Sequence, residues 1–229
     1  MSHLSKLSFA TLALVVLGLC IPLNAASVKF LPLNEAVAAR KLGFKDAKGV
    51  TKLKGLTPMK RSNPYKYDIG KKSLQLQLVD LDVQNPEFKP ITVAITISPD
   101  IKSPLVLIMP DPKDAAALIG IAIEDSSSAF PWGSIRFLNT TDKPLMVRYE
   151  KEVRALPESF TPVNIVPGGA ARNMGVQLFK EEEPKAILYS AVWEHDPNVR
   201  KLVIITLGAD VKMKAYDLKI IPEDRRATN

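Results

Sequence analysis

His195 is the side chain best suited by its type to acid–base chemistry. It is the only histidine after His3, and it lies between Glu194 and Asp196 in a Trp-Glu-His-Asp-Pro stretch. Histidine titrates near neutral pH and is the most frequent general acid or base. However, residues directly before and after a histidine do not hold its ring as a catalytic triad requires. Asp, Pro and Asn form turns, so we expect an exposed loop histidine, with catalysis or weak metal contact as minor alternatives.

Metal ligation has little support in the sequence. A zinc site needs three or four His, Cys or carboxylate ligands, and Cys20 is the only cysteine. Asp80 and Asp82 share a strand face, with Glu87 nearby, but they lack the Asp-x-Asp-x-Asp-Gly spacing of a calcium loop. We expect a solvated strand face there. We therefore predict no metal site. No phosphate loop or dinucleotide fingerprint occurs, so we also predict no cofactor.

Other catalytic patterns are also weak. Gly133-Ser134 lacks the second glycine of a nucleophile elbow, and we expect Ser134 to start a strand. A glycosidase needs only two carboxylates at a set distance, and the 24 acidic residues do not single out a pair. We therefore predict that the protein is not an enzyme. A polysaccharide hydrolase that uses carboxylates is the alternative.

Positive charge is concentrated near the N-terminus. Residues 40–72 contain eleven Lys or Arg and two acids, whereas the remainder of the chain after residue 26 carries a net charge of −3. Clustered cations bind anionic polymers, although a solvated lysine face is also common. Aromatic residues are too few there for base stacking, so we expect no nucleic acid partner. The expected contacts with an anionic ligand are Lys45, Lys48, Lys52, Lys54, Lys60 and Arg61.

The first residues have the pattern of a secretory signal. Lys6 precedes an apolar run at 9–23, which is followed by the small residues of a peptidase site. The run is shorter than the roughly 20 residues of a membrane span, and the mature chain contains no other such run. We predict cleavage after Ala25 or Ala26 and a periplasmic or extracellular protein. Lipidation of Cys20 is an alternative that Leu19 disfavours.

Period-two alternation predicts that strands position nearly all of these residues. We expect one short helix, at 35–42, capped by Asn34 and ended by Gly43. A change of phase at 78–79 indicates a bulge or a strand that crosses between sheets. The strands are expected at 27–33, 50–54, 74–83, 91–97, 104–109, 115–124, 161–166, 172–179, 186–193, 200–207 and 216–221, with two more within 130–149.

The stretch 130–149 is the most patterned part of the chain. A Pro-Trp-Gly turn leads into an apolar run, a polar turn and a second apolar run, which indicates two strands joined by a tight connection. Asn139 begins a formal glycosylation sequon and is expected to end the first strand. Trp132 and Trp193 are expected to pack in the core.

This pattern predicts an all-β fold, an antiparallel β-sandwich of Ig-like or jelly-roll-like type with a short N-terminal helix. We expect a signal peptide at 1–26, a basic segment at 27–73, the sandwich at 74–222 and a polar tail at 223–229. We find no sequence repeat with a period of 20 to 50 residues.

The motif Phe-Pro-Trp-Gly-Ser-Ile-Arg-Phe-Leu-Asn at 130–139 resembles uncharacterised bacterial secreted families with a Phe-Pro-x-Gly-Ser-x-x-Phe-x-Asn core. Pro167-Gly168, Trp193, His195-Asp196-Pro197 and Arg200 look similar to the same pattern. The resemblance covers about residues 74–221. It implies a β-sandwich in the cell envelope, and it offers no established activity or catalytic residues to carry over.

The function expected from the sequence is that of an exported, non-catalytic β-domain. Its partner would be a protein or an anionic polysaccharide of the envelope or matrix. A structural accessory domain of an envelope complex is a further alternative.

Overall fold

The computed structural model describes residues 26–46, 49–67, 75–80, 92–111, 113–208 and 216–227. These residues form sixteen β-strands, a four-residue α-helix and a short 3₁₀ helix, Arg225–Ala227. The predicted all-β, sandwich-like fold is therefore confirmed. Residues 1–25 of the predicted signal segment, with Cys20 among them, lie outside the described residues, as do Asp82 and Glu87.

The first eight strands form two four-stranded sheets. Their bounds are β1 Ala26–Pro32, β2 Leu42–Asp46, β3 Gly49–Lys52, β4 Tyr65–Tyr67, β5 Gln75–Asp80, β6 Thr92–Thr96, β7 Pro104–Asp111 and β8 Asp114–Glu124. The strand orders are β4-β1-β7-β8 and β3-β2-β5-β6. We call these inner sheet 1 and outer sheet 1, and together they form the first sandwich.

The last eight strands repeat this arrangement. Their bounds are β9 Ile135–Asn139, β10 Leu145–Tyr149, β11 Glu152–Leu156, β12 Val163–Ile165, β13 Arg172–Lys180, β14 Glu183–His195, β15 Val199–Leu207 and β16 Tyr216–Asp224. The orders are β12-β9-β15-β16 (inner sheet 2) and β11-β10-β13-β14 (outer sheet 2). Each strand has the position of the strand eight places earlier. The chain is therefore a structural duplication of one eight-stranded sandwich.

The four sheets stack in the order outer 1, inner 1, inner 2, outer 2. Leu105 and Leu107 of β7 pack in a core shared by the two inner sheets, while Val106 and Ile108 pack in the core of the first sandwich. Strand β7 and the centre of β15 are buried on both faces, which explains their nearly continuous apolar sequence. Each inner sheet also contains one parallel pair, β1 with β7 and β9 with β15.

The predicted helix is shorter than expected. It spans Glu35–Ala38, and the Asn34 side chain accepts a hydrogen bond from Val37 N at 2.8 Å, as the capping prediction required. The expectation that it continues to residue 42 is wrong, because Leu42 begins β2. The side chains of Leu42 and Phe44 alternate into the first core with the period of a strand.

The two strands predicted within 130–149 both form, as β9 and β10, and Asn139 ends the first of them as expected. They are not partners of each other. Strand β9 pairs with β12 and β15, whereas β10 pairs with β11 and β13 in the other sheet. The tight connection between them therefore passes from inner sheet 2 to outer sheet 2.

The basic segment is part of the sheets. Strand β1 pairs with β7, and β2 pairs with β5, so residues on both sides of position 73 share two sheets. The first core accordingly contains Phe30 and Phe44 together with Leu78 and Ile95.

Candidate functional site

An open cleft of about 380 Å³ lies at the edge of outer sheet 1. Four basic side chains line it, Arg40 and Lys41 after the helix and Lys52 and Lys54 at the end of β3. The other lining residues are Ala38, Leu42, Leu53, Gly55 and Leu56.

The β2–β3 pairing turns the two lysines outward. Leu53 N donates to Leu42 O at 2.9 Å, which continues the pairing beyond β3. Leu53 packs against the first core, so Lys52 and Lys54 on either side of it are exposed. Lys54 N also donates to the Tyr65 hydroxyl at 2.8 Å. The backbone that carries the lysines is therefore held in place while their ammonium groups remain in solvent.

Arg40 forms the fixed wall of the cleft. Its guanidinium donates to Asp80 Oδ2 through Nε and a terminal nitrogen, and to Ala116 O at 3.0 Å. Asp80 is 7% exposed, so the expectation that it lies on a solvated strand face is wrong. A carboxylate with this burial is stable because the arginine neutralises it.

The expected anionic contacts are distributed over several places. Lys52 and Lys54 line the cleft, and Lys45 and Lys60 are exposed elsewhere. None of these four lysines forms an ion pair within the described part of the chain. Lys48 lies outside the described residues.

Arg61 has a different environment from the four lysines. Its side chain is 5% exposed, and Nε donates to Asp125 Oδ2 at 2.8 Å. A terminal nitrogen lies 3.5 Å from Glu223 Oε2. Arg61 is therefore unavailable to a ligand, and it belongs to a buried cluster that joins the two sandwiches.

Three arginines of this cluster surround the Phe130 ring. The guanidinium carbons of Arg61, Arg136 and Arg200 lie 5.9, 4.4 and 4.9 Å from the ring centroid. Cations over an aromatic face are attracted by its quadrupole. Sequence reasoning did not find this cluster, because isolated arginines in a strand pattern are usually solvated.

The donors of Arg136 are occupied. Nε donates to Asn164 Oδ1 at 2.8 Å, and the terminal nitrogens donate to the carbonyls of Glu124 and Ala129. Burial lowers the pKa of Arg136 to about 10, with Asp125 opposing this shift, so the guanidinium stays charged at neutral pH. These contacts are structural in kind and leave little capacity for a ligand.

Arg200 is bound in the same way. It donates to the carbonyls of Asp125 and Phe130 at 2.9 and 3.0 Å, and to Glu223 Oε2 at 2.7 Å. Its guanidinium carbon also lies 4.9 Å from the centroid of the half-buried Trp132 ring. The cluster thus connects the loop before β9 with β15 and β16.

The motif at 130–139 is explained by packing and turn geometry. Gly133 has φ +76°, and a Cβ there would lie 3.1 Å from Pro197 Cα, so only glycine fits without strain. Ser134 is buried, and its hydroxyl donates to Pro131 O at 2.5 Å. The Asn139 amide donates to Lys143 O at 2.7 Å, which closes the following turn, and to Leu156 O at 3.1 Å.

His195 is not an exposed loop residue, so that expectation is wrong. It is the last residue of β14, 3% exposed, and its Nε2 has no hydrogen-bond partner among the residues that the structure describes. Asp196 does not orient the ring, because its carboxylate accepts from Asn198 and Arg226. These bonds hold the pKa of Asp196 below its usual range, and the bond from the Asn198 backbone contributes most.

Trp193 lies in the core of the second sandwich, as predicted, and stacks on Phe137 with ring centroids 6.0 Å apart.

Among the described residues, no three His, Cys, Asp or Glu side chains converge in a way that could hold a metal ion. None of the helices in that part of the chain is long and apolar enough to cross a membrane. No known family model and no curated protein matches the chain. The basic cleft on outer sheet 1 is therefore the candidate site that geometry and charge support.

Proposed function

We propose that the protein is an exported, non-catalytic binding protein that holds an anionic polysaccharide at the basic cleft of outer sheet 1. The observation that carries the proposal is that the exposed, unpaired Lys52 and Lys54 line one open cleft beside Arg40 and Lys41, within the described part of the chain. Export follows from the signal pattern of the first 26 residues.

The cleft suits a flexible polymer better than a small, enclosed ligand. Lys52 and Lys54 are exposed, and exposed ion pairs contribute only about 0.2–1 kcal/mol each. Useful affinity therefore requires several such contacts along one chain, which repeated carboxylate or sulfate groups provide. Binding of this kind weakens as salt screens the charges.

The aromatic residue of the cleft region does not favour nucleic acid. The Tyr65 ring packs against the first core, edge-on to Phe30 and Phe44, with ring centroids 5.9 and 6.1 Å apart. Its hydroxyl holds Lys54 N. A base therefore has no free aromatic face here on which to stack.

The test is binding of a hexasaccharide from polygalacturonate and one from heparin by isothermal titration calorimetry. We expect Lys52→Gln combined with Lys54→Gln to weaken binding about 5- to 30-fold, which corresponds to the loss of about 1–2 kcal/mol. The control is Lys102→Gln combined with Lys143→Gln, which removes the same charge from exposed loop residues away from the cleft lining. Equal weakening in both variants, or no binding of either oligosaccharide by the unmodified protein, would contradict the proposal.

A further inference from the structure

The duplication places one row of side chains at the same position on both outer sheets. In outer sheet 1, Lys45 lies opposite Val50 on one side and Gln77 on the other. In outer sheet 2, Arg148 lies opposite Val153 and Gln177. The next residues across are Ala94 and Ser190.

Both cations of the row point away from the cores. Lys45 follows Phe44 of the first core, and Arg148 lies between Val147 and Tyr149 of the second core. Because side chains alternate along a strand, both cations belong to the outer face of their sheet. Each sandwich therefore presents the order Val, cation, Gln, small residue to solvent.

In outer sheet 2 this row forms part of a concavity of about 480 Å³. Its lining residues are Arg148, Glu150, Gly175, Val176, Gln177, Ser190, Ala191 and Val192. Val192 is 70% exposed, which is unusual for a large apolar side chain on a sheet. An ideal Cβ on Gly175 would meet no atom within 4 Å, so this glycine leaves the concavity open.

Arg148 is held in place without being neutralised. Its guanidinium carbon lies 4.7 Å from the Phe179 ring centroid, and NH1 donates to Gln177 Oε1 at 2.8 Å. Within the described residues it forms no ion pair with a carboxylate. Glu150, the nearby acid, is already paired with Arg172, whose Nε lies 2.8 Å from Glu150 Oε1.

We propose that this concavity is a second binding site, for an anionic saccharide unit whose carboxylate or sulfate is bound by Arg148. A guanidinium presents a planar set of donors that matches an oxyanion, and stacking on Phe179 fixes its plane. The Ser190 hydroxyl lies two strands across in the same row and is available to a sugar hydroxyl. Val192 provides apolar surface for the carbon face of a sugar ring.

The two sites face opposite directions. Stacked sheets are about 10 Å apart, so the outer faces of a four-layer stack are separated by roughly 30 Å. A short oligosaccharide cannot reach from one face to the other around the stack. If the basic cleft binds polymer as proposed above, one molecule therefore bridges two polymer segments.

The second site is tested in mature protein that carries Lys52→Gln and Lys54→Gln, so that cleft binding is weakened and the residual binding that depends on Arg148 reports the concavity. The probes are the polygalacturonate hexasaccharide, the heparin hexasaccharide and a neutral galactan hexasaccharide. We expect Arg148→Gln to weaken residual binding at least tenfold and Arg148→Lys to weaken it less. Gly175→Leu fills the concavity and should therefore abolish binding there. The glycine has no positive φ, so the added side chain should not strain the backbone.

The matched control is Arg154→Gln, an exposed arginine on the neighbouring strand that is paired with Glu152. It should leave residual affinity within twofold. Stronger binding of the polygalacturonate probe identifies a carboxylate ligand, and stronger binding of the heparin probe identifies a sulfate ligand. Absence of residual binding, equal binding of the neutral probe, or no effect of Arg148→Gln would overturn the second site. None of these results depends on whether Lys52 and Lys54 bind polymer in the unmodified protein.

Discussion

Replacement of Asp125 by Asn tests whether the buried cluster holds the two sandwiches together. The Asp125 side chain is 2% exposed and contacts Arg61 and Arg200, which are 5% and 4% exposed. Asparagine has the same shape, but it leaves Glu223 as the only carboxylate shared by both arginines within the described part of the chain. One buried positive charge then lacks compensation.

The size of the effect follows from this burial. Removal of one partner from a buried ion pair costs about 3–5 kcal/mol, because the remaining charge stays desolvated. For a domain of this length, 1 kcal/mol corresponds to about 2–4 °C in Tm. We therefore expect Asp125→Asn to lower Tm by roughly 6–20 °C.

Thermal and urea unfolding of the protein should be followed by far-UV circular dichroism and tryptophan fluorescence. Trp132 lies against Arg200, so its emission reports on the cluster directly. The control is Glu183→Gln, which alters the pair of the exposed Glu183 with Lys180 at 3.8 Å and should cost at most about 1 kcal/mol. The reasoning is refuted if Asp125→Asn costs no more than this control.

Two further substitutions test the connections between strands. Burial alone would raise the pKa of Glu124. Hydrogen bonds from the backbone N–H groups of Ser126, Lys102 and Ser103 outweigh this effect and hold the pKa below its usual value of 4.5. This stabilisation is present above the unfolded-state pKa and is lost as pH falls through the lower folded-state pKa. Glu124→Gln should therefore flatten the loss of stability below about pH 4.5, as measured by urea titration at each pH. Gly133→Ala should cost about 1–3 kcal/mol of unfolding free energy, because φ is +76° and Pro197 lies against the added methyl group; an unchanged Tm would contradict this.

The positions of most strands could be predicted from the sequence, although β2, β4 and β11 were not, and the partners of the strands could not be predicted. Alternation within 130–149 correctly indicated two strands, because period two depends only on which residues face a core. It carries no information on which strand lies alongside. The passage of the chain from β9 in one sheet to β10 in another is set by the packing of four layers.

The sequence indicates the stacking of four sheets less clearly than it indicates the strands. Strand β7 is almost entirely apolar, and so is the centre of β15 from Leu202 to Ile205. Such runs are typical of strands covered on both faces. The duplication could not be recognised in the sequence, because equivalent strands share a pattern of burial but few identical residues. One of these few matches is Gln77-Leu78 with Gln177-Leu178.

The candidate site was only partly predictable. Clustered lysines correctly indicated an exposed basic surface, and Lys52 and Lys54 do line one cleft. Arg61 belonged to the same cluster in sequence, yet it is buried because Asp125 and Glu223 approach it from β8 and β16. Which cations are free therefore depends on contacts between residues far apart in the chain.

The same architecture explains where ligands can bind. Both inner sheets are covered on both faces, since Leu107 of β7 and Leu138 of β9 meet in the shared core. Buried charged side chains between the inner sheets hold the two sandwiches together, as the hydrogen bonds from Arg200 to the carbonyls of Asp125 and Phe130 show. Solvent-facing strands with cations that lack carboxylate partners occur on the outer sheets, at Lys52 and at Arg148 within the described residues. A duplication joined through its inner faces thus leaves two outward faces, one on each side of the molecule, and this geometry is suited to holding two ligands apart.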